Sequence, residues 1–278
     1  MKVAVLLSTY NSARFLEEQI KSVLNQTFQD FTLYIRDDGS CDNTLAIISS
    51  LSAQDSRISL VDSCGINLKS AGSFVELMKT VEADFYFFCD HDDVWHEHKM
   101  EFSLSAMFLC RTFKSSAPIL VATDLQVVDE NLNPLAKSFR EVSCLYPNEL
   151  KKFENLSATN FVTGCTVLFN RVLRDIAITY PLNSIVMHDH WLALVALKNS
   201  GELVYLPVPT LCYRQHANNV VGVSRRRSIF NLAGISRSFD VLLSYYRQAK
   251  SVNPSITFRA VLLAKVIYRF KVLWREGK

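Results

Sequence analysis

The chain has 278 residues, 49% of them hydrophobic, with 8 Gly and 7 Pro, which excludes a disordered or low-complexity chain and is enough to bury a large core. The net charge of +3 is unevenly spread: Gly222 to Lys278 holds 12 Lys or Arg against Asp240 and Glu276, so this segment carries +10 and the remainder −7. An acidic body with a basic tail points to an anionic surface as partner, membrane or nucleic acid. The seven cysteines (Cys41, Cys64, Cys89, Cys110, Cys144, Cys165 and Cys212) are scattered, odd in number and without a C-x-x-C pair. This argues against a zinc site or a disulfide framework and for a reducing compartment. Val3 to Leu7 is too short for the apolar region of a signal peptide. No apolar run approaches the roughly 18 residues of a membrane span.

Strand and helix patterns then alternate along the chain. Val3 to Leu7 is a continuous apolar run, as in a parallel strand covered on both faces. A polar turn, Ser8 to Asn11, leads to a helix carrying Leu16, Ile20, Val23 and Leu24 on one side. A strand at Phe31 to Ile35 runs into Arg36-Asp37-Asp38-Gly39-Ser40, and a helix follows over Thr44 to Leu51 with Asp42 or Asn43 as cap. Ile58 to Val61 is a third strand, Ser73 to Val81 a helix, Phe85 to Cys89 a fourth strand, Glu97 to Cys110 a helix and Ile119 to Ala122 a strand. After Thr123 the pattern loosens, with a strand at Val162 to Phe169, a helix at His190 to Lys198, and an extended segment from Leu203 to Tyr213 broken by Pro207 and Pro209. Repeated βα alternation predicts an α/β sandwich around a mostly parallel sheet, followed by a basic helical segment at the C-terminus.

Ligands in open α/β sheets bind at the carboxyl ends of the strands. Three polar clusters fall there and are expected to converge: Ser8-Thr9-Tyr10-Asn11, Asp37-Asp38-Gly39-Ser40 and Asp90-His91-Asp92-Asp93. The last sets three carboxylates within four positions at the end of a buried apolar strand. Like charges that close repel one another and are costly to bury unpaired. A hard divalent cation with oxygen ligands, completed by a nucleotide diphosphate, would resolve the conflict. The plainer alternative is a solvated acidic loop. Asp38 alone could be a turn residue, since Asp and Gly favour turns. No G-x-G-x-x-G or G-x-x-x-x-G-K is present, so a nucleotide here would be held by carboxylates and a metal, not by a glycine cradle.

Asp189, in Met187-His188-Asp189-His190-Trp191, is either a functional carboxylate or a helix N-cap, with His188 and His190 as supports. His96 and His98 lack metal-ligand spacing and read as surface residues, and spacing alone assigns no role to His216. Near the C-terminus, Leu262, Leu263, Val266, Ile267, Phe270, Leu273 and Trp274 fall within an arc of about 140° on a helical wheel, with Val261, Tyr268 and Val272 on the opposite face. That helix either packs on the body or lies on a membrane, and Arg225-Arg226-Arg227 upstream favours the membrane.

These motifs resemble a known family. Leu7-Ser8-Thr9-Tyr10-Asn11, Gln26-Thr27-Phe28 and Asp37-Asp38-Gly39-Ser40 are similar to family 2 glycosyltransferases of GT-A fold, in the bacterial rhamnosyltransferase-like branch. That branch usually reads S-D-Q-D-D-V-W where this chain has Cys89-Asp90-His91-Asp92-Asp93-Val94-Trp95. Later motifs of the branch resemble Met187-His188-Asp189 with Trp191, Tyr213-Arg214-Gln215-His216, and Asn218 to Gly222. The resemblance covers about Met1 to Gly222 and implies a GT-A domain over 1–222 with a basic helical extension over 223–278.

It further implies a nucleotide-sugar donor and Mg or Mn. Ser8, Thr9, Tyr10, Asn11, Asp38 and Asp92 would bind the donor, Asp38 at the base and Asp92 at the ribose. Asp93 would hold the metal, with His216 at the metal or the diphosphate, and Asp90 forms a competing D-x-D with Asp92. Asp189 matches the general base, preceded by His188 where other members have Glu. The Q-x-x-R-W signature of processive synthases is absent, which implies addition of one sugar. The implied reaction is inverting transfer, L-rhamnose from dTDP-rhamnose being the expected case, to a saccharide or lipid-linked acceptor in bacterial cell-surface polysaccharide synthesis. The expected location is cytoplasmic, peripheral on the inner face of the cytoplasmic membrane, with no nucleic-acid partner. Another nucleotide sugar, a nucleotidyltransferase, and a non-catalytic module binding an anionic partner remain as alternatives. The last would leave the acidic strand ends unexplained.

Overall fold

The structure, a computed structural model, describes residues 1–113, 116–182, 185–216 and 232–276. The motif over 218–222, Arg225 to Arg227 and the expected domain boundary at 222/223 lie outside the described residues. The strands are β1 (Val3–Thr9), β2 (Phe31–Asp37), β3 (Ile58–Val61), β4 (Phe85–Cys89), β5 (Val94–Trp95), β6 (Ile119–Val128), β7 (Pro134–Ala136), β8 (Val167–Asn170) and β9 (Glu202–Arg214). They form one sheet in the order β3-β2-β1-β4-β8-β6-β9-β5, with β7 added on β6. β1 to β4, β6 and β9 run one way, whereas β5, β7 and β8 run against them. The helices are α1 (Leu16–Leu24), α2 (Thr44–Gln54), α3 (Lys69–Thr80), α4 (Lys99–Phe108), α5 (Phe139–Val142), α6 (Phe153–Ala158), α7 (Arg171–Ala177), α8 (His188–Lys198), α9 (Leu232–Val252) and α10 (Phe258–Glu276).

The continuous apolar runs arise because both sheet faces are covered. In β1, Val3, Val5 and Leu7 join a core with Leu16, Ile20 and Val23 of α1. Ala4 and Leu6 point the other way, to Phe74, Leu77 and Met78 of α3. Successive side chains of a strand alternate faces, so a strand between two helical layers is apolar at every position. α8 is similarly surrounded, with Trp191 to Ala196 at 0% exposure, which is why its sequence is apolar all round.

Three local expectations change. The strand expected over Val162 to Phe169 is a 3-10 turn at Gly164–Thr166 followed by β8. A Cβ at Gly164 would lie 3.0 Å from His188 Nε2, so the turn is shaped by its packing on α8. β9 runs unbroken through Pro207 and Pro209, because its register with β6 slips between Thr123 and Gln126 and the bulge absorbs the missing donors. α3 starts at Lys69, before Ser73, since the Leu68 and Lys69 N–H groups donate to the Asp38 carboxylate at 2.7 and 2.8 Å.

The C-terminal helices share the core of the body. Leu242, Ala249 and Val252 of α9 and Val261, Ala264, Tyr268 and Val272 of α10 belong to the same cluster as Phe88 and Trp191. α10 therefore docks through the face opposite the apolar arc. Lys265 donates to the Ala158 carbonyl at 2.9 Å, and the Tyr146 N–H donates to the Tyr268 hydroxyl at 3.0 Å. The arc itself stays outside, from 42% exposure at Leu262 to 69% at Phe270. Among the described residues, no helix is long and apolar enough to cross a membrane.

Candidate active site

The ends of β1, β2 and β4 lie side by side in the sheet, as their pairings require. Ser8 donates to Ser73 at 2.8 Å, Thr9 to Asp37 at 2.9 Å, and the Asn11 N–H to Ser40 at 2.9 Å. Asn11, at φ 48°, also accepts from the Cys41 N–H at 2.8 Å, so the loops after β1 and β2 are laced together. Tyr10 remains half exposed at 47%. Asp38 is buried and saturated: Arg36 meets it at 2.5 Å, and its two oxygens also take the Leu68 and Lys69 N–H groups. A nucleotide base at Asp38 would have to share oxygens already in use.

The acid cluster after β4 is the reverse case. Asp93 is fully buried, with Oδ1 accepting the Arg214 N–H at 3.1 Å, the Cys165 thiol donating to the carboxylate, and Oδ2 left without a partner. Among the described residues, Asp90, Asp93 and Cys165 form one group whose donor atoms lie within 4.8 Å of one another. Burial first, then Asp92 and Asp189, pushes the Asp90 carboxyl up to about 7. Burial, then Asp92 and Asp90, raises Asp93 well above the carboxylate range. Both shifts come first from burial and then from repulsion among the neighbouring carboxylates.

His216 meets Asp92, not Asp93, with Nε2 at 2.9 Å from Oδ2. Its ring stacks on Phe15 at 5.1 Å, and the buried Arg214 guanidinium lies over the other part of this clamp, 4.5 Å from the Phe15 centroid. Arg214 also donates to the Asp92 carbonyl at 2.8 Å and to Glu18 at 2.6 Å. The end of β9 is thereby tied to the acid loop and to α1. The residues fit a divalent cation: the orphaned buried Oδ2 of Asp93 lies with the Asp90 carboxylate and the Cys165 thiol, the Asp92–His216 pair stands next in the chain to Asp93, and carboxylate oxygen donors suit Mg or Mn.

Asp189 lies in the first turn of α8, buried, and accepts the His190 N–H at 2.6 Å and the Gly164 N–H. Burial raises its carboxyl to about 6. A Cβ at Gly164 would lie 3.8 Å from the Asp189 Cβ, and the next residue, Cys165, belongs to the group with Asp90 and Asp93, so α8 sets Asp189 beside the acid cluster. The neighbouring His188 stacks on Phe74 at 4.2 Å and meets Phe88 edge-on at 4.8 Å, which seats the start of α8 against β4. Burial lowers His188 to about 3 and His190 to about 4, so both are neutral supports.

The structure therefore brings Asp90, Asp92, Asp93, His216 and Asp189 together, with Ser8 to Asn11 and Asp38 along the neighbouring strand ends. Sequence reasoning missed the clamp of Phe15, Glu18 and Arg214, the thiol of Cys165, and the buried Lys99, whose Nζ donates to Thr210 at 3.3 Å and lies 4.8 Å over the Trp95 ring. Arg214 is legible only as a neighbour of His216; the others carry no local signal. His98 is exposed as expected, but His96 is half-buried, Nδ1 3.2 Å from the Pro209 carbonyl, because β9 passes over it.

The profile of "Glycosyl transferase family 2" matches residues 4–108. The chain is 33% identical over 200 residues to the UDP-Glc:alpha-D-GlcNAc-diphosphoundecaprenol beta-1,3-glucosyltransferase WfgD of Escherichia coli, covering 72% of this chain and 71% of that one. It is 26% identical over 233 residues to the dTDP-rhamnosyl transferase RfbG of Shigella flexneri, covering 78% and 74%. An uncharacterised glycosyltransferase of a Nostoc species is 33% identical over 132 residues, covering 47% of this chain but 38% of that protein. Among solved structures, S. aureus TarS 1-349 in complex with UDP-GlcNAc superposes with TM-score 0.59 at 17% identity, over 79% of this chain and 60% of TarS. The mannosyltransferase PcManGT of Pyrobaculum calidifontis, in complex with GDP-Man and Mn2+, gives TM-score 0.56 at 15% identity, over 95% and 73%. The chain thus spans less than two thirds of the Nostoc and TarS lengths, and the structural likenesses establish the fold, a GT-A-type α/β sandwich. With one third identity across most of the E. coli enzyme and a matching profile over its first strands and helices, this chain belongs to glycosyl transferase family 2.

Proposed function

We propose that the protein is a metal-dependent, inverting glycosyltransferase that moves one sugar from a nucleotide-sugar donor to a saccharide or lipid-linked acceptor. The observation that carries this reading is the orphaned buried oxygen of Asp93, grouped with Asp90 and Cys165, beside a separate buried carboxylate, Asp189, that packs against Gly164. Asp93 and His216, with Asp90 and Asp92 beside them, would hold a divalent cation, which as a Lewis acid stabilises charge on the departing diphosphate. Ser8 to Asn11 and Asp38 line the donor side, Asp38 shaping the base subsite and Asp92 facing the ribose. Asp189, raised to about 6, is ionised at neutral pH yet basic enough to take the acceptor hydroxyl proton as that oxygen attacks the anomeric carbon. One displacement inverts the centre without a covalent intermediate.

The donor we favour is dTDP-rhamnose, supported by the likeness to RfbG along 78% of the chain. UDP-glucose is the second reading, supported by the higher identity to WfgD. The diphosphoundecaprenol in the WfgD name supports a lipid-linked acceptor and a role in cell-surface polysaccharide synthesis. The exposed apolar arc of α10 supports peripheral attachment to the inner face of the cytoplasmic membrane. The test is transfer and donor hydrolysis with a panel of nucleotide sugars, an undecaprenyl-diphosphate saccharide as acceptor, and EDTA followed by Mn or Mg. Metal-restored turnover of one donor is the expected result. No turnover of any donor, or full activity in EDTA, overturns the corresponding part of the reading.

A further inference from the structure

The segment that composition marks as a basic tail reaches into the catalytic half of the molecule through one side chain. Gln248, in α9, is 0% exposed. Its Oε1 accepts the backbone N–H of Val186 at 2.7 Å and of Met187 at 2.9 Å. Its Nε2 lies 2.9 Å from Nδ1 of His190. The other ring nitrogen of His190, Nε2, lies 2.9 Å from the Leu156 carbonyl, which can only accept. The proton therefore sits on Nε2, and Nδ1 accepts from Gln248. A neutral imidazole with both nitrogens satisfied follows, in line with burial lowering His190 to about 4. Tyr245, one turn earlier on α9, packs against the same ring at 4.5 Å, with its hydroxyl 3.8 Å from Met187 Sδ.

These contacts bracket Asp189 on both sides. The amides that open a helix have no intrahelical partner and leave the approaching chain free to swing unless something else holds them. Here a buried amide from a helix about 60 residues further along holds the approach to α8 and the residue after the carboxylate. Simple packing would be served by Leu or Met at this position. An amide whose oxygen takes two N–H groups and whose nitrogen donates to an imidazole fixes direction as well as volume.

We propose that Gln248 is a positioning residue for Asp189, setting the aim of the carboxylate at the acceptor hydroxyl, so that the α9–α10 hairpin is part of the catalytic assembly. The proposal rests on Asp189 being the base. Gln248→Leu is expected to lower kcat of transfer by about 10²-fold, the cost of a small misplacement at a reacting centre. The acceptor KM and the affinity for the nucleoside diphosphate, measured by calorimetry, are expected to stay at wild-type values. Gln248→Glu keeps an acceptor for both amides but cannot donate to Nδ1 of His190, and is expected to lose kcat as Gln248→Leu does. Should Gln248→Leu fail to fold, the shorter Gln248→Asn, which cannot span to the same amides, takes its place with the same expected loss. Wild-type kcat in a folded Gln248→Leu or Gln248→Asn, or loss of kcat and nucleotide affinity together, overturns the proposal. So does a folded Gln248→Glu with wild-type kcat. A wild-type protein that transfers no sugar at all would instead strike at the reading of the site, which keeps the two failures apart.

Discussion

Two buried aspartates close two strands of the parallel block and have opposite surroundings. Asp38, after β2, is 2% exposed, paired to Arg36 and capped by two backbone N–H groups at the start of α3. Asp93, after β4, is 0% exposed, shares its neighbourhood with Asp90 and Asp92, and has one oxygen with no partner. Burial does not separate the two; satisfaction does. A carboxylate saturated by its own protein holds the fold, and one left short of positive charge is prepared for a ligand.

The largest test of this contrast is Asp93→Asn. It should abolish transfer while leaving the melting temperature at or above that of the metal-free wild type, since it removes a poorly compensated charge. Inactivity with a collapsed melting temperature would make Asp93 structural like Asp38. Asp189→Asn should cut kcat by about 10²–10⁴, the range for loss of a general base, with nucleotide affinity kept in a calorimetric titration. Asp38→Asn should instead act on the fold, costing about 3 kcal/mol by leaving Arg36 without its buried partner, read from the urea midpoint. A stable Asp38→Asn with weakened nucleotide binding would move Asp38 to the donor site proper.

The contrast also has a pH signature. The folded carboxyls of Asp90 and Asp189 sit at about 7 and about 6, and Asp93 is raised as well. Unfolded, they titrate near about 4. The folded state then keeps carboxyl protons that the unfolded chain has lost, so these groups lower metal-free stability as pH rises from about 4 through their folded values. The buried neutral His188 and His190 oppose the fall below about 6.5 and make it shallower there. Urea midpoints in EDTA across that range measure it. Asp93→Asn should flatten the fall, and Mn or Mg should restore stability near pH 7.5, as a ligand of the folded state does. A flat wild-type profile would mean the cluster is neutralised from within.

The smallest expected effect lies on the exposed face of α10. Replacing exposed Phe270 and Trp274 by Ser should leave stability unchanged but weaken binding to anionic liposomes at low salt, where each nearby Lys or Arg contributes about 1 kcal/mol. Tyr268→Ala, on the docked face, should cost about 3 kcal/mol of stability. Indifference of the wild type to anionic liposomes would sink the membrane role and leave the arc to another partner.

The sequence by itself determined the order of elements and the chemistry of the strand ends. Continuous apolar runs imply strands covered on both faces, and such strands deliver whatever follows them to one edge of the sheet. Ser8 to Asn11, Asp38, Asp90 to Asp93 and Asp189 were legible on that ground and through the family resemblance. Only tertiary structure decided how those groups are satisfied: that Asp38 is taken up by Arg36 and α3, that His216 meets Asp92, and that Gln248 grips the start of α8. It also decided that α10 docks through Val261, Tyr268 and Val272 and turns its stronger apolar arc outward. The physical reason is common to all of these. Periodicity reports which residues share a face, whereas the partner of a hydrogen bond and the side a helix buries are set by chain segments tens to hundreds of residues away.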